Sequence, residues 1–313
     1  MQARRLARTA GWVIAYITWN FAFRLLMLTF ITYFLTSSAR LGQRPKFEEI
    51  SDALSANELS LLGLGAALFV LMLRGLYPIA STTTKDIFTP ARFERYFAPG
   101  FAHGALLSAG VTLAFLLSGN YRYLGFFIQF DDAPMAAITV LFRMMALGAL
   151  AYFEEYIFRH KISRGIEHQL WGTRPVNASA RFGVTIAVAI LYCLVKCLQF
   201  DFSLGITQVI TLFLVSMVLS IRAISDNDFG RGAGFWAAML IIFQPLLGLP
   251  ILGSEFNGVL LIKYQPGETA DGLTRFFTGG AGGPLSSFAL QIFLAVDVAR
   301  GWLAYLERRK LRS

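Results

Sequence analysis

Residues 135–160 read MAAITVLFRMMALGALAYFEEYIFRH. The run from Met135 to Phe153 holds one charge, Arg143, and otherwise apolar or small residues apart from Thr139 and Tyr152. A helix needs about 20 such residues to cross the hydrocarbon of a bilayer. The run then closes on two adjacent acids, Glu154 and Glu155, followed by Arg159 and His160. Seven further apolar runs repeat the pattern. Together they predict spans at 11–36, 59–80, 101–118, 135–158, 181–200, 206–224, 233–253 and 284–305. The expected fold is all-α: a polytopic membrane protein of about eight transmembrane helices in a single domain over residues 1–313. The first run is too long and too aromatic for a cleaved signal peptide and is expected to stay as an anchor.

Composition agrees. The 313 residues are 56% hydrophobic and 15% charged, with mean hydropathy +0.56. An average soluble domain is roughly 45–50% apolar and about 25% charged. Disorder needs few apolar residues and high charge, which excludes it here. Two cysteines in so long a chain exclude a disulfide scaffold.

The formal net charge of +9 does not point to nucleic acid, because the basic residues form short clusters between apolar runs. Lys and Arg accumulate in cytoplasmic loops. With the amino terminus inside, eighteen Lys and Arg fall on inner segments and six on outer ones. Both termini are therefore expected in the cytoplasm, with a bacterial inner membrane as the natural home. Trp12, Trp19, Trp171, Trp236 and Trp302 fall mostly near expected span ends, where indoles favour the interface. Arg308-Arg309-Lys310 read as topology signals and anionic-lipid contacts.

Ionisable groups inside spans are costly and need partners. Here they are Arg24, Arg74, Arg143, Glu154, Glu155, Lys196 and Asp297. Arg74 is expected to snorkel, and Asp297 to pair with Arg300 one turn on. Neighbouring helical positions point about 100° apart, so Glu154 and Glu155 face different partners. Glu155 and Arg159 stand in the favourable i,i+4 order. Glu154 then faces elsewhere, either as a general base in apolar surroundings or as one half of a neutralising ion pair. Arg143, Lys196 and the two glutamates are candidates to line one interior cavity. Gly63, Gly104, Ser108, Gly148 and Gly234 are expected to let helices pack closely.

Cys193 and Cys197 share a helical face and read as small packing residues. No HExxH, CxxC or P-loop pattern occurs, and His103, His160 and His168 do not form a ligand set. No metal or other cofactor is expected. The longer outer connections are 37–58 and 254–283. The first has a helical look around 47–54. In the second, residues 259–264 read as a short strand, 265–267 as a turn, and the glycines at 279–283 as a flexible lead into the last span. Both read as connections, with an outer docking surface as the alternative.

The string Glu154-Glu155-Tyr156-Ile157-Phe158-Arg159 resembles EExxxR, the first motif of the CAAX-protease and bacteriocin-processing (CPBP, or Abi) intramembrane peptidases. The span count and the placement on span four are similar too, and the likeness covers roughly residues 100–253. The resemblance implies Glu154, Glu155 and Arg159 at catalytic positions, with the first glutamate activating water. The family's second motif, FxxxH, falls at Tyr192-Cys193-Leu194-Val195-Lys196, where Lys196 stands for the histidine. The third motif, HxxxN or HxxxD, should lie near 236–247, where there is no histidine and Gln244 is the polar side chain.

Amide hydrolysis needs a base, an acid for the leaving amine and oxyanion donors, and losing one donor costs on the order of a hundred- to a thousandfold. The expectation is a pseudoprotease: a CPBP-like membrane protein acting as a scaffold, binding or regulatory subunit. Its partners would be the lipid bilayer and other membrane protein subunits. The alternative is a glutamate-dependent CPBP-family endopeptidase with a degenerate site using Glu154 and Lys196. A transporter using the charges in the spans ranks third, since its prolines do not repeat symmetrically.

Overall fold

The computed structural model describes residues 2–38, 58–76, 89–126, 133–172, 176–200, 202–252, 254, 256, 258–265 and 272–311. The first helix, α1 (Gln2–Ser38), contains the apolar stretch Ala10–Phe30. Helix α2 (Glu58–Leu76) is apolar over a shorter length, Glu58–Met72. Helix α3 (Pro90–Leu117) widens into a π-helical turn at Phe93–Phe97. Pro99 follows that turn. A proline inside a helix lacks an N–H and crowds the carbonyl four residues back, so local widening relieves both.

Helix α4 (Ala133–Glu155) runs on through a π-helical stretch, Tyr156–Ser163, into α5 (Arg164–Trp171). Then follow α6 (Ala178–Gln199) and α7 (Ile206–Asp226). Asn177 caps α6 by accepting from the Ala180 N–H at 2.7 Å. Helix α8 (Gly230–Ile241) continues as a π-helical turn, Ile242–Leu246, around Pro245. Two short elements, α9 (Gly272–Thr278) and paired 3₁₀ turns, lead to α10 (Phe288–Lys310).

Six helical stretches among the described residues are long and apolar enough to cross a membrane: Ala10–Phe30, Pro90–Leu117, Ala136–Trp171, Ala178–Gln199, Ile206–Asp226 and Phe288–Lys310. The chain is a multi-pass helical membrane protein. The expected continuous span over 233–253 is instead a shorter helix with a broken end. Pro245 ends the regular ladder, Gly248 turns at φ +67°, and Ile251 bridges to Ser254. Helix α8 is buried nearly all round by α3, α4 and α7 and forms the axis of the bundle. Around it α2 packs on α4, α6 and α10 pack on α7, and α1 lies against α2.

Small residues set these approaches. A Cβ on Gly63 would lie 2.0 Å from the Ala146 carbonyl oxygen, one on Gly234 2.1 Å from that of Phe97, and one on Gly104 2.4 Å from that of Phe235. Gly148 has no such close neighbour; its nearest is the Ile241 side chain at 3.9 Å.

The fold is not purely helical. Strands β1 (Tyr121–Phe126) and β2 (Leu260–Tyr264) pair antiparallel, with Tyr121 opposite Tyr264 and a bulge between Tyr123 and Gly125. The expected strand at 259–264 thus finds its partner just after α3. The Ile262 N–H donates to the Leu247 carbonyl at 3.1 Å and ties β2 to the end of α8. The Tyr121 hydroxyl donates to the Gly280 carbonyl at 2.6 Å. The glycine-rich lead to α10 is close-packed: a Cβ on Gly279 would lie 2.2 Å from the Gly283 carbonyl oxygen. The helical look around 47–54, most of the turn at 265–267 and the Arg74 side chain lie outside what is described.

Candidate functional site

Glu154 closes the last α-helical turn of α4, with its carboxylate in the bundle interior. It is fully buried, and Lys196 on α6 is 1% exposed. The Lys196 Nζ donates to Glu154 Oε1 at 2.6 Å. The Tyr16 hydroxyl, from α1, donates to the same oxygen at 2.9 Å. The Tyr192 hydroxyl, one turn before Lys196, donates to Oε2 at 3.2 Å. Three helices thus converge on one carboxylate. Phe158 packs edge-on against both tyrosine rings and closes the pocket apolar on that side.

Glu155 faces away, as the 100° step demands. Its Oε1 lies 3.2 Å from Arg159 Nη1, and both side chains are fully buried. Arg159 also donates through Nη2 to the Ser216 hydroxyl at 2.7 Å and to its carbonyl at 3.0 Å, which anchors the π-helical stretch to α7. The Arg159 guanidinium also lies over the Tyr192 ring, 5.1 Å from its centre. A Cβ on Gly232 of α8 would lie 2.9 Å from Glu155 Oε2, so the carboxylate packs directly on the α8 backbone there. Glu154, Glu155, Arg159 and Lys196 therefore form two adjoining ion pairs, Glu154–Lys196 and Glu155–Arg159, bridged by Tyr192.

Arg143 does not join them. Eleven residues of helix separate it from Glu154 by about 16 Å. It donates to Gln244 Oε1 at 3.0 Å, to the Ser60 hydroxyl at 2.9 Å and to the Ser254 hydroxyl at 3.0 Å. Gln244 thus serves Arg143 and not the acidic pair. The single shared cavity expected from the sequence is two separate polar clusters. Asp297 pairs with Arg222 of α7 at 2.6 Å, rather than with Arg300. Arg24 pairs with Glu58 and the Gln199 carbonyl.

His160 stacks on Tyr156, with ring centres 5.2 Å apart, and lies 6.0 Å from the Phe229 ring centre. Among the described residues no group of three or more His, Cys, Asp or Glu is placed to hold a metal ion.

Sequence reasoning missed Tyr16 and Ser216. Each is an ordinary residue of an apolar helix until the helices assemble, and Tyr16 lies 138 residues from its partner. Tyr192 carried a signal, since it stands four residues before Lys196 on one helical face.

Fold and site together define a multi-pass helical membrane protein with a double ion pair at its centre. No family model, curated protein or solved structure matches the chain.

Proposed function

We propose that this chain is a pseudoprotease of CPBP-like form, acting as a scaffold or regulatory subunit of a membrane complex in a bacterial inner membrane. Both termini lie in the cytoplasm on this reading, as the basic residues suggest. The observation that carries the proposal is the contact between Lys196 and Glu154 at 2.6 Å. A hydrolytic base must be reached by water beside donors for the oxyanion, and the Glu154 carboxylate is fully buried. Here the ammonium and the Tyr16 hydroxyl both sit on Oε1, and Tyr192 sits on Oε2. The remaining motif residues, Glu155 and Arg159, hold the π-helical stretch against α7. Such a centre locks helices together; interhelical polar contacts in membranes are each worth about 1 kcal/mol.

The test is a product assay. Purified full-length chain is incubated in liposomes with prenylated CAAX peptides and with model transmembrane peptides, and fragments are sought by mass spectrometry. No product is expected, and size-exclusion in mild detergent from the native membrane should give a mass above the monomer. Turnover that disappears in Glu154→Gln would overturn the reading in favour of a working glutamate peptidase.

A further inference from the structure

We infer that the bundle carries a binding site for the phosphate headgroup of an anionic phospholipid, in the cleft between the start of α6 and the ends of α7 and α10. The cleft holds about 580 Å³ and is lined in part by Val176, Arg181, Asp226, Tyr305, Arg308 and Arg309. Three arginines from two helices therefore face one space. Asp226 is ion-paired with Arg231 at 3.1 Å, which leaves the cleft positive.

Two of the guanidinium groups are braced, not loose. Arg309 Nη2 donates to the Val176 carbonyl at 2.8 Å, and Arg181 Nη1 donates to the Tyr305 hydroxyl at 3.2 Å. Each has a further buried nitrogen with no hydrogen-bond partner: Nη1 of Arg309 and Nε of Arg181. The carboxylate nearest Arg181 Nε, on Glu167, is 3.9 Å off. Arginine guanidinium groups suit the oxygens of a phosphodiester. Tyr305 accepts from Arg181, so its own proton remains to donate to a ligand oxygen.

Position assigns the source. The cleft lies where three membrane-length helices begin or end: Ala178–Gln199, Ile206–Asp226 and Phe288–Lys310. One turn inward, Trp302 packs between Phe182 and Tyr305, with ring centres 4.7 and 5.1 Å away. Indole and phenol rings favour the headgroup level. Trp302 and Phe182 are themselves half-buried and offer an apolar wall for acyl chains. A soluble phosphate would use the arginines alone; a lipid uses the arginines and this wall together.

The experiment is calorimetric titration of delipidated full-length chain in nonionic detergent. The probes are short-chain phosphatidylglycerol, short-chain phosphatidylcholine and inorganic phosphate. Phosphatidylglycerol is expected to bind, with the other two much weaker. Arg309→Gln should weaken it about tenfold, the value of one charged hydrogen bond. Arg308 is exposed, so Arg308→Gln keeps the fold and should also weaken binding. Lys263→Gln, on β2, should leave it unchanged. The inference is overturned if phosphatidylcholine or inorganic phosphate binds as tightly as phosphatidylglycerol. It also fails if both arginine variants keep wild-type affinity, or if Lys263→Gln lowers affinity equally.

Discussion

Lys196 Nζ lies 2.6 Å from Glu154 Oε1, between two helices that meet forty-two residues apart in sequence. Neither group reaches solvent, so each is the other's neutralising charge. Removing one partner of a buried pair costs about 3–5 kcal/mol, whereas replacing both with packed apolar or neutral groups is often close to neutral. Glu154→Gln should therefore destabilise strongly, because it strands an ammonium. The double variant Glu154→Gln/Lys196→Met should recover most of the loss. Reversible unfolding in mixed micelles measures the cycle; additive losses would show that the two groups are not coupled.

The glycine contacts give a sharper test of packing. Gly63→Ala places a methyl group against the Ala146 carbonyl, and Gly234→Ala places one against that of Phe97. Both should destabilise by about 1–3 kcal/mol, the usual cost of overpacking. Gly110 has nothing within 4 Å of its Cβ direction. Gly110→Ala should be neutral or stabilise by up to about 1 kcal/mol, through helix propensity. Thermal unfolding of the three variants side by side checks the ranking.

Arg143 joins α4 to Ser60 on α2, to Gln244 beyond α8 and to Ser254. Arg143→Met should cost about 3 kcal/mol or more, because three buried polar partners lose a donor at once. Arg143→Lys should rescue little, since one ammonium cannot copy the planar fork. A lysine variant as stable as wild type would show that charge alone matters there.

Tyr121 lies outside the membrane-spanning segments, and its buried phenol donates to the Gly280 carbonyl. Burial, helped by the neighbouring Tyr264, pushes its pKa up from the ordinary tyrosine value. A folded-state pKa above the unfolded one gives stability that is complete below about pH 10 and falls as pH rises towards the folded value. Wild type should thus lose stability above about pH 10 more steeply than Tyr121→Phe. Parallel slopes for the two proteins in alkaline unfolding curves would contradict this.

Much of the helical layout is legible along the chain, because crossing a bilayer requires about 20 apolar residues in a row and that property is local. The first, third, fourth, fifth, sixth and eighth runs each lie within or largely over a described apolar helix. The run at 233–253 looks equally apolar but is cut by Pro245, Gly248 and Pro250, whose effect depends on where the chain turns next. The strand at 259–264 was visible by composition; its partner, Tyr121–Phe126, was not, since a pairing lies in two segments at once.

The charges within the spans divide the same way. Their presence in apolar helices is a fact of the sequence, and so is the i,i+4 spacing that gives Glu155 to Arg159. Which other groups answer them is not. Asp297 takes Arg222 on another helix over Arg300 on its own, and Arg143 takes Gln244 over the acids eleven residues away. Hydropathy sums residue by residue, so one sequence determines what must be buried. Partner choice depends on the rotation and approach of whole helices, set by contacts such as Gly234 on Phe97, and only the assembled bundle fixes those.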